Sequence, residues 1–102
     1  MATLVVLSTP RVGEEEALQT YVQQVMPLLV GAGGTVVKRV GITDVVAGSP
    51  GPGFVFVMDF EKVTTIQDVF RSPAYAALIP VRDRGFERME ILITEDLPST
   101  GG

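Results

Sequence analysis

Few side-chain types in this 102-residue chain can act as an acid or a base, because the sequence contains no histidine and no cysteine. A thiol nucleophile, a disulfide, a Cys/His zinc site and any triad built on histidine are therefore excluded. The acidic run at residues 14–16 matches the first turn of a helix rather than an all-oxygen metal site. The glycines at 31–34 follow a helix and precede a strand, the reverse of a nucleotide-binding loop. We expect neither a metal nor a cofactor.

Asp59 is the first candidate for moving a proton. It alternates with Phe56, Met58 and Phe60 in a strand-like segment, which places it on the opposite face of the sheet. A carboxylate among valines would be partly desolvated and its pKa raised, unless an arginine such as Arg39 offsets this. Such a group could act as a general acid or base. A structural ion pair at the rim of the sheet is the alternative.

Ser72, Tyr75 and Arg82 form a second candidate group. Ser72 stands before Pro73, as an N-cap stands before proline at the first helical position, so capping is its simpler role and substrate binding the alternative. The Tyr75 hydroxyl could lie at a pocket mouth and move protons, or only be solvated at the edge of the core. Arg82 could hold an enolate or carboxylate through two hydrogen bonds, or belong to a solvated charged stretch.

Four further residues could contact a substrate. Tyr21 and Met26 lie on the apolar face of an amphipathic helix, and Phe56 and Met58 share one face of a strand. Packing in the core is the simpler interpretation of these side chains. A ligand pocket between the helix and the sheet is the alternative.

The elements that must position these residues follow from periodicity and from glycine and proline placement. The pattern predicts four strands, at residues 3–8, 35–43, 54–60 and 89–95. One long helix should begin at the three glutamates and end at the glycines. A shorter helix should be capped at Thr64 or Thr65, and a helical piece that starts after Ser72 should end near Pro80.

This order, β-α-β-β-α-β, predicts an α+β fold of the ferredoxin-like type, a four-stranded antiparallel sheet with helices on one face. We expect residues 1–97 to form one domain and residues 98–102 to form a flexible tail. Apolar residues make up 46% of the chain, more than a domain of this size buries alone. The other sheet face is also largely apolar, so we expect two copies to pair through it as a homodimer.

Charge and segment composition limit the other partners. The net charge of −4 argues against nucleic acid, whose phosphates bind clustered lysine and arginine. No apolar run approaches the roughly 20 residues of a membrane span, and the first residues lack the basic start of a secretory signal. Together with the absence of cysteine, this predicts a cytoplasmic location without membrane contact.

Several motifs carry a resemblance to a known family. They include the Gly33-Gly34 pair before the strand with Arg39, the segment at residues 57–60, and the Ser-Pro-x-Tyr motif at residues 72–75, followed by Arg82. Over residues 3 to 96 the chain resembles the DUF1330 family of the dimeric α/β-barrel superfamily. Two positions depart from it, since Ala32 replaces a frequent histidine and residues 69–70 replace a frequent Trp-Tyr. The resemblance implies a dimeric barrel, in a superfamily that includes cofactor-independent monooxygenases and small polyketide cyclases.

Three functions fit the residues and the resemblance. The first is a cofactor-independent cyclase or isomerase of secondary metabolite biosynthesis that acts on a hydrophobic polyketide-like or aromatic molecule. Asp59 or Tyr75 would move protons in that enzyme, and Arg39 or Arg82 would hold the oxyanion. The second is a cofactor-free monooxygenase that forms a quinone. The third is a dimeric binding or accessory protein without catalysis.

Overall fold

A four-stranded antiparallel sheet covered on one face by helices organises the computed structural model, which describes residues 1–49, 51 and 53–98. The strands are β1 (Ala2–Pro10), β2 (Thr35–Gly41), β3 (Phe54–Phe60) and β4 (Phe86–Glu95). The helices are α1 (Glu15–Gly31), α2 (Val63–Phe70), α3 (Pro73–Ala76) and α4 (Ile79–Gly85). Residues 99–102 of the expected tail lie outside the described residues.

The strand order is β2-β3-β1-β4, and every neighbouring pair is antiparallel. This order places the first and third strands at the centre and the second and fourth at the edges. The α+β, ferredoxin-like fold class predicted from the sequence is confirmed. The sheet of one chain is open and does not close into a barrel by itself, so a barrel needs a second copy.

Strict alternation along the two central strands builds the core. Leu4 pairs with Met58 and Ala2 pairs with Phe60, and all four side chains are almost fully buried beneath the helices. Ile66 of α2 is also fully buried and belongs to the same cluster. Burying each of the larger side chains, those of Leu4, Met58, Phe60 and Ile66, contributes roughly 1.5–3 kcal/mol, so this layer holds the helices on the sheet.

A β-bulge interrupts the alternation in β2. Val36 pairs with Met58 and Arg39 pairs with Phe56, so three steps along β2 match two steps along β3. Val37 is the extra residue of the bulge. Lys38 and Arg39 therefore lie on the same faces of the sheet as if Lys38 followed Val36 directly. Arg39 therefore lies on the helix-covered face together with Phe56 and Met58, opposite to Asp59.

Two helix boundaries differ from those predicted. Helix α2 begins at Val63, with Lys62 at the N-cap position and no side-chain cap, so the capping box at Thr64 or Thr65 is wrong. The threonines lie inside the first turn because the chain turns directly after β3. Pro80 does not end a helix but lies in the first turn of α4, where a missing N–H costs no hydrogen bond.

Helix α4 packs closely against α1 at Gly85. A Cβ atom at this position would lie 2.7 Å from the Leu18 nitrogen and 2.9 Å from its Cα. Only glycine permits this approach of the two backbones without a shift of one helix. The contact sets the distance between α1 and the segment that carries Arg82. Each helix among the described residues is too short or too polar to span a lipid bilayer.

Candidate functional site

A cavity of about 680 Å³ opens between α1 and the helix-covered face of the sheet. Its walls are mostly apolar. Helix α1 contributes Leu18, Tyr21, Val22, Val25, Met26 and Leu29. The strands contribute side chains that include Val6, Phe56, Met89 and Ile91. The size and the lining suit a small hydrophobic molecule.

Few polar side chains line this cavity. Among the described lining residues, Arg39 carries the one formal charge, and Ser8 and Tyr21 carry the hydroxyl groups. Arg39 is exposed on the edge strand β2, whereas the Tyr21 side chain is 5% exposed. The cavity therefore combines an apolar wall with a cationic donor from the edge strand and a buried phenol from α1.

Three side chains from three helices form a hydrogen-bonded chain beside the cavity. The hydroxyl oxygens of Tyr21 and Tyr75 are 2.8 Å apart, and the Arg82 Nη1 donates to the Tyr75 oxygen at 3.1 Å. Tyr75 is 2% exposed, so its hydroxyl is held between the other two groups and away from water. Bonds of this kind polarise one another in a poorly solvated interior.

Ser72 and the neighbouring aromatic rings hold Tyr75 in this position. The Tyr75 backbone N–H donates to the Ser72 Oγ at 3.2 Å, and that hydroxyl donates to the Val69 carbonyl at 2.6 Å. The Tyr75 ring meets Phe70 edge to face at 4.7 Å between centroids. The predicted N-cap at Ser72 is confirmed. Ser72 does not line the cavity, so it acts on the site through Tyr75.

The environment keeps Tyr21 protonated. Burial raises the pKa of the Tyr21 hydroxyl well above its ordinary value, and the hydrogen bond from or to Tyr75 raises it further. Burial alone would lower the pKa of Arg82, but hydrogen bonds to Tyr75 and Asp83 outweigh it, and the pKa is raised. At physiological pH, Tyr21 is therefore a neutral hydrogen-bond donor rather than a base.

Asp59 lies on the open face of the sheet, which separates it from the cavity. It pairs with Thr3, and its Oδ1 accepts a hydrogen bond from the Thr3 Oγ1 at 2.7 Å. In the described residues it forms no ion pair with Arg39, which projects from the other face. The structure thus does not bring together the two residues that the sequence placed first.

The other residues singled out in the sequence divide into three groups. Tyr21, Met26 and Phe56 line the cavity with Arg39. The second group does not line the cavity but is linked to Tyr21 by hydrogen bonds, and it consists of Tyr75, Ser72 and Arg82. Met58 is fully buried in the core beneath Gly34 and does not line the cavity.

Sequence reasoning missed two aspects of this site. Phe70 and Phe86 both line the cavity, and Phe86 also packs edge to face on Tyr21 at 5.6 Å. The aromatic character of position 86 next to a helix end is the signal that could have suggested a wall residue. The Tyr21–Tyr75 contact leaves no such signal, since the two residues are 54 positions apart. No cluster of acidic residues suited to a metal occurs in the described part of the chain.

The chain matches one protein family in sequence over almost its entire length. The family model described as a domain of unknown function, DUF1330, matches residues 3–97. Among curated proteins no sequence relative is found.

Solved structures share the fold at low sequence identity. A protein of unknown function from Rhodopseudomonas palustris is 19% identical with a TM-score of 0.79, over 95% of this chain and 82% of that one. A protein from Nitrosomonas europaea, named as a candidate antibiotic biosynthesis monooxygenase, is 12% identical with a TM-score of 0.64, over 96% and 100%. A dimeric protein of unknown function with a ferredoxin-like fold from Bacteroides fragilis is 11% identical with a TM-score of 0.60, over 93% and 95%.

Proposed function

The chain belongs to the DUF1330 family, and we propose that it is a cofactor-independent enzyme that stabilises an enolate in a hydrophobic, aromatic or polyketide-like substrate. The observation that carries this proposal is the cavity of about 680 Å³, which has an apolar wall and two hydrogen-bond donors, Arg39 and Tyr21. An accessory protein would need no open cavity with an arginine at its wall. Cyclisation or isomerisation within biosynthesis is the reaction class that these groups serve best.

The donors would act on oxygen atoms rather than remove protons. Either hydroxyl can be the donor in the Tyr21–Tyr75 hydrogen bond. We propose the direction in which Tyr75, which accepts from Arg82, donates to Tyr21, so that the Tyr21 proton is left for a ligand in the cavity. A substrate carbonyl would be polarised by Tyr21, and the enolate oxygen would be held by Arg39. Tyr75 and Arg82 are then positioning residues for Tyr21.

The proton would leave from an acidic carbon of the substrate, such as the methylene group between two carbonyls. The described residues that line the cavity include no carboxylate that could remove it, so we propose that water at the open mouth accepts it. The same water would return the proton to another carbon in an isomerisation, or to the new alkoxide oxygen in a cyclisation. Asp59 has no place in this mechanism, because the sheet stands between its carboxylate and the cavity.

A cofactor-free monooxygenase that forms a quinone is the second candidate. An enolate held by Arg39 is also the electron-rich species that molecular oxygen could attack, and the name of the Nitrosomonas europaea protein points to such a reaction in that protein. The same cavity would serve both reactions. Oxygen consumption during turnover separates them.

Turnover of aromatic 1,3-diketones and short poly-β-ketones tests the proposal. We expect Tyr21→Phe and Arg39→Met each to lower kcat/KM by about 100-fold, as the loss of one oxyanion donor does in other enzymes. Asp59→Asn, on the other face of the sheet, is the matched control and should leave turnover unchanged. Equal activity of all four proteins, or a loss confined to Asp59→Asn, would contradict the proposed site.

We also propose that two copies pair through the open face of the sheet. The face presents Val5, Val57 and Leu92, which lie side by side on β1, β3 and β4. Leu92 is 44% exposed in the single chain, and an open apolar sheet face of this kind requires cover. A dimer is known for the protein from Bacteroides fragilis. The cytoplasmic location stays a prediction from the sequence.

A further inference from the structure

The charge inside the cavity is opposite in sign to the charge of the whole protein. The chain has a formal net charge of −4, yet the one formal charge among the described lining residues is the guanidinium of Arg39. No lining carboxylate neutralises it. The cavity is therefore a local positive site in an acidic protein, and apart from the hydroxyl groups of Ser8 and Tyr21 its remaining described wall is apolar.

Arg39 is available to a ligand. In the described residues Arg82, Arg84 and Arg88 each form an ion pair with an acidic side chain, but no ion pair or side-chain hydrogen bond involves Arg39. Its side chain is exposed at the edge of the sheet, so its guanidinium keeps the donors that a planar anion would occupy.

The bulge in β2 gives this placement a structural cause. If Val37 were an ordinary strand residue and no bulge followed Val36, regular alternation from Val36 would place Lys38 on the cavity face and Arg39 on the open face. The bulge reverses this assignment, so that the planar guanidinium rather than the ammonium group serves the cavity. Bulges that re-aim a side chain in this way are frequent beside binding sites.

The geometry points to an amphipathic monoanion as the substrate class: an apolar, ring-sized body inside the cavity and a delocalised oxyanion, either a carboxylate or the enolate of a 1,3-dicarbonyl, paired with Arg39 at the edge of β2. This inference rests on the proposed function, because it names the substrate class of the same site. The apolar body would pack on Met26 and Phe56, which have no polar group to offer it.

The test compares two unreactive probes that share one apolar body. Isothermal titration calorimetry measures binding of 2-naphthoate and of its neutral analogue 2-naphthamide to the full chain at neutral pH and low salt. We expect the wild type to bind the carboxylate at least about 10-fold more tightly, as a charge-assisted hydrogen bond predicts. Arg39→Met should remove the preference by weakening 2-naphthoate binding, while leaving 2-naphthamide binding unchanged.

Lys38→Met is the matched control, because it removes the neighbouring cation from the other face of the same strand. It should keep the preference for 2-naphthoate. Equal binding of the two probes by the wild type, no binding of either probe, or a preference that survives Arg39→Met and disappears in Lys38→Met would each overturn the inference. Since neither probe reacts, this result is independent of turnover. A preference for 2-naphthoate without any turnover of the diketones would contradict the proposed enzyme activity but not the proposed ligand class.

Discussion

Tyr21 and Tyr75 are the two tyrosines of the chain, and each hydroxyl is buried against the other. Their positions differ in one respect, since Tyr75 also accepts from Arg82 and Tyr21 has no further protein partner among the described residues. The energy of the pair therefore depends on both residues at once. This dependence can be measured apart from any activity.

We predict non-additive stability changes in this pair. Tyr75→Phe removes the one protein hydrogen-bond partner of the Tyr21 hydroxyl among the described residues, and should lower the free energy of unfolding by about 1–3 kcal/mol. Tyr21→Phe should cost less, because Tyr75 keeps its bond from Arg82. The double variant should cost less than the sum of both changes. Urea unfolding of the four proteins measures the cycle, and strictly additive values would contradict the buried hydrogen bond.

The raised pKa of Tyr21 predicts loss of stability at alkaline pH. The pKa is higher in the folded chain than the value of about 10 expected after unfolding. The contribution of the protonated Tyr21 hydroxyl to the free energy of unfolding is therefore fully present below about pH 10. It is lost as the pH rises above that value, by about 1.4 kcal/mol per pH unit. Urea unfolding at about pH 9 and pH 11 measures this, with Tyr21→Phe as the control. An equal slope in both proteins would contradict the assignment.

For single residues, the sequence predicts the face on which a side chain lies better than it predicts which other side chains it contacts. Helical spacing is enough to place Tyr21 and Met26 on the inner face of α1, because a 3.6-residue period depends only on near neighbours. The face of Arg39 depends on one extra residue in β2, and alternation alone cannot reveal an extra residue. Asp59 was placed on the correct face, but that face is not the one with the cavity.

Helix α1 supplies one wall of the cavity, and its distance from α4 depends on the glycine at position 85. The contact joins backbone to backbone, so no flexible side chain can move aside for a larger residue. A shift of α1 would also displace Tyr21 from Tyr75. The stability of this packing and the geometry of the site are thus coupled.

We predict that Gly85→Ala lowers the free energy of unfolding by about 1–3 kcal/mol, the usual cost of overpacking. Gly31→Ala is the matched control, because a Cβ there meets no atom within 4 Å. That change should be neutral or stabilise by up to about 1 kcal/mol. Urea unfolding compares the two variants. A Gly85→Ala protein as stable as Gly31→Ala would show that the helices do not approach as described.

Elements with a single clear period were predicted most closely. The strand predicted at residues 54–60 has those limits in the structure, because its alternation is flanked by glycine on one side and a turn on the other. Residues 73–85 were predicted poorly. Proline stops a helix in its interior but is also favoured at its start, and Pro80 is used in the second way. Local sequence does not distinguish these uses without the packing of α4 on α1.

The whole molecule has two apolar sheet faces and covers one of them. The helices bury the face with Leu4 and Met58, and the cavity opens near its edge. The other face remains partly exposed at Val57 and Leu92. The high apolar fraction of the sequence thus has a definite location on the two sheet faces. Composition could not reveal which residues lie on each face, and pairing of two copies through the open face stays a prediction.

We predict that Leu92→Lys converts a dimer into a monomer, since burying a lysine charge within a paired sheet face carries a large desolvation cost. Val30→Lys changes an apolar residue of α1 that is more exposed than Leu92, and it should leave the dimer intact. Sedimentation at micromolar protein concentration measures both masses. A monomeric wild type at that concentration, or a dimeric Leu92→Lys protein, would contradict pairing through this face.

The central place of β1 also governs when the protein can fold during its synthesis. Of the four strands β1 is made first, but it pairs on one side with β4, which is made last of the four, as in the hydrogen bond from the Thr94 hydroxyl to the Thr3 carbonyl. The loop that closes between them spans almost the whole chain, and contacts of such long range form late. A nascent chain therefore exposes one edge of β1 until its last ten strand residues have left the ribosome, and folding is completed only then.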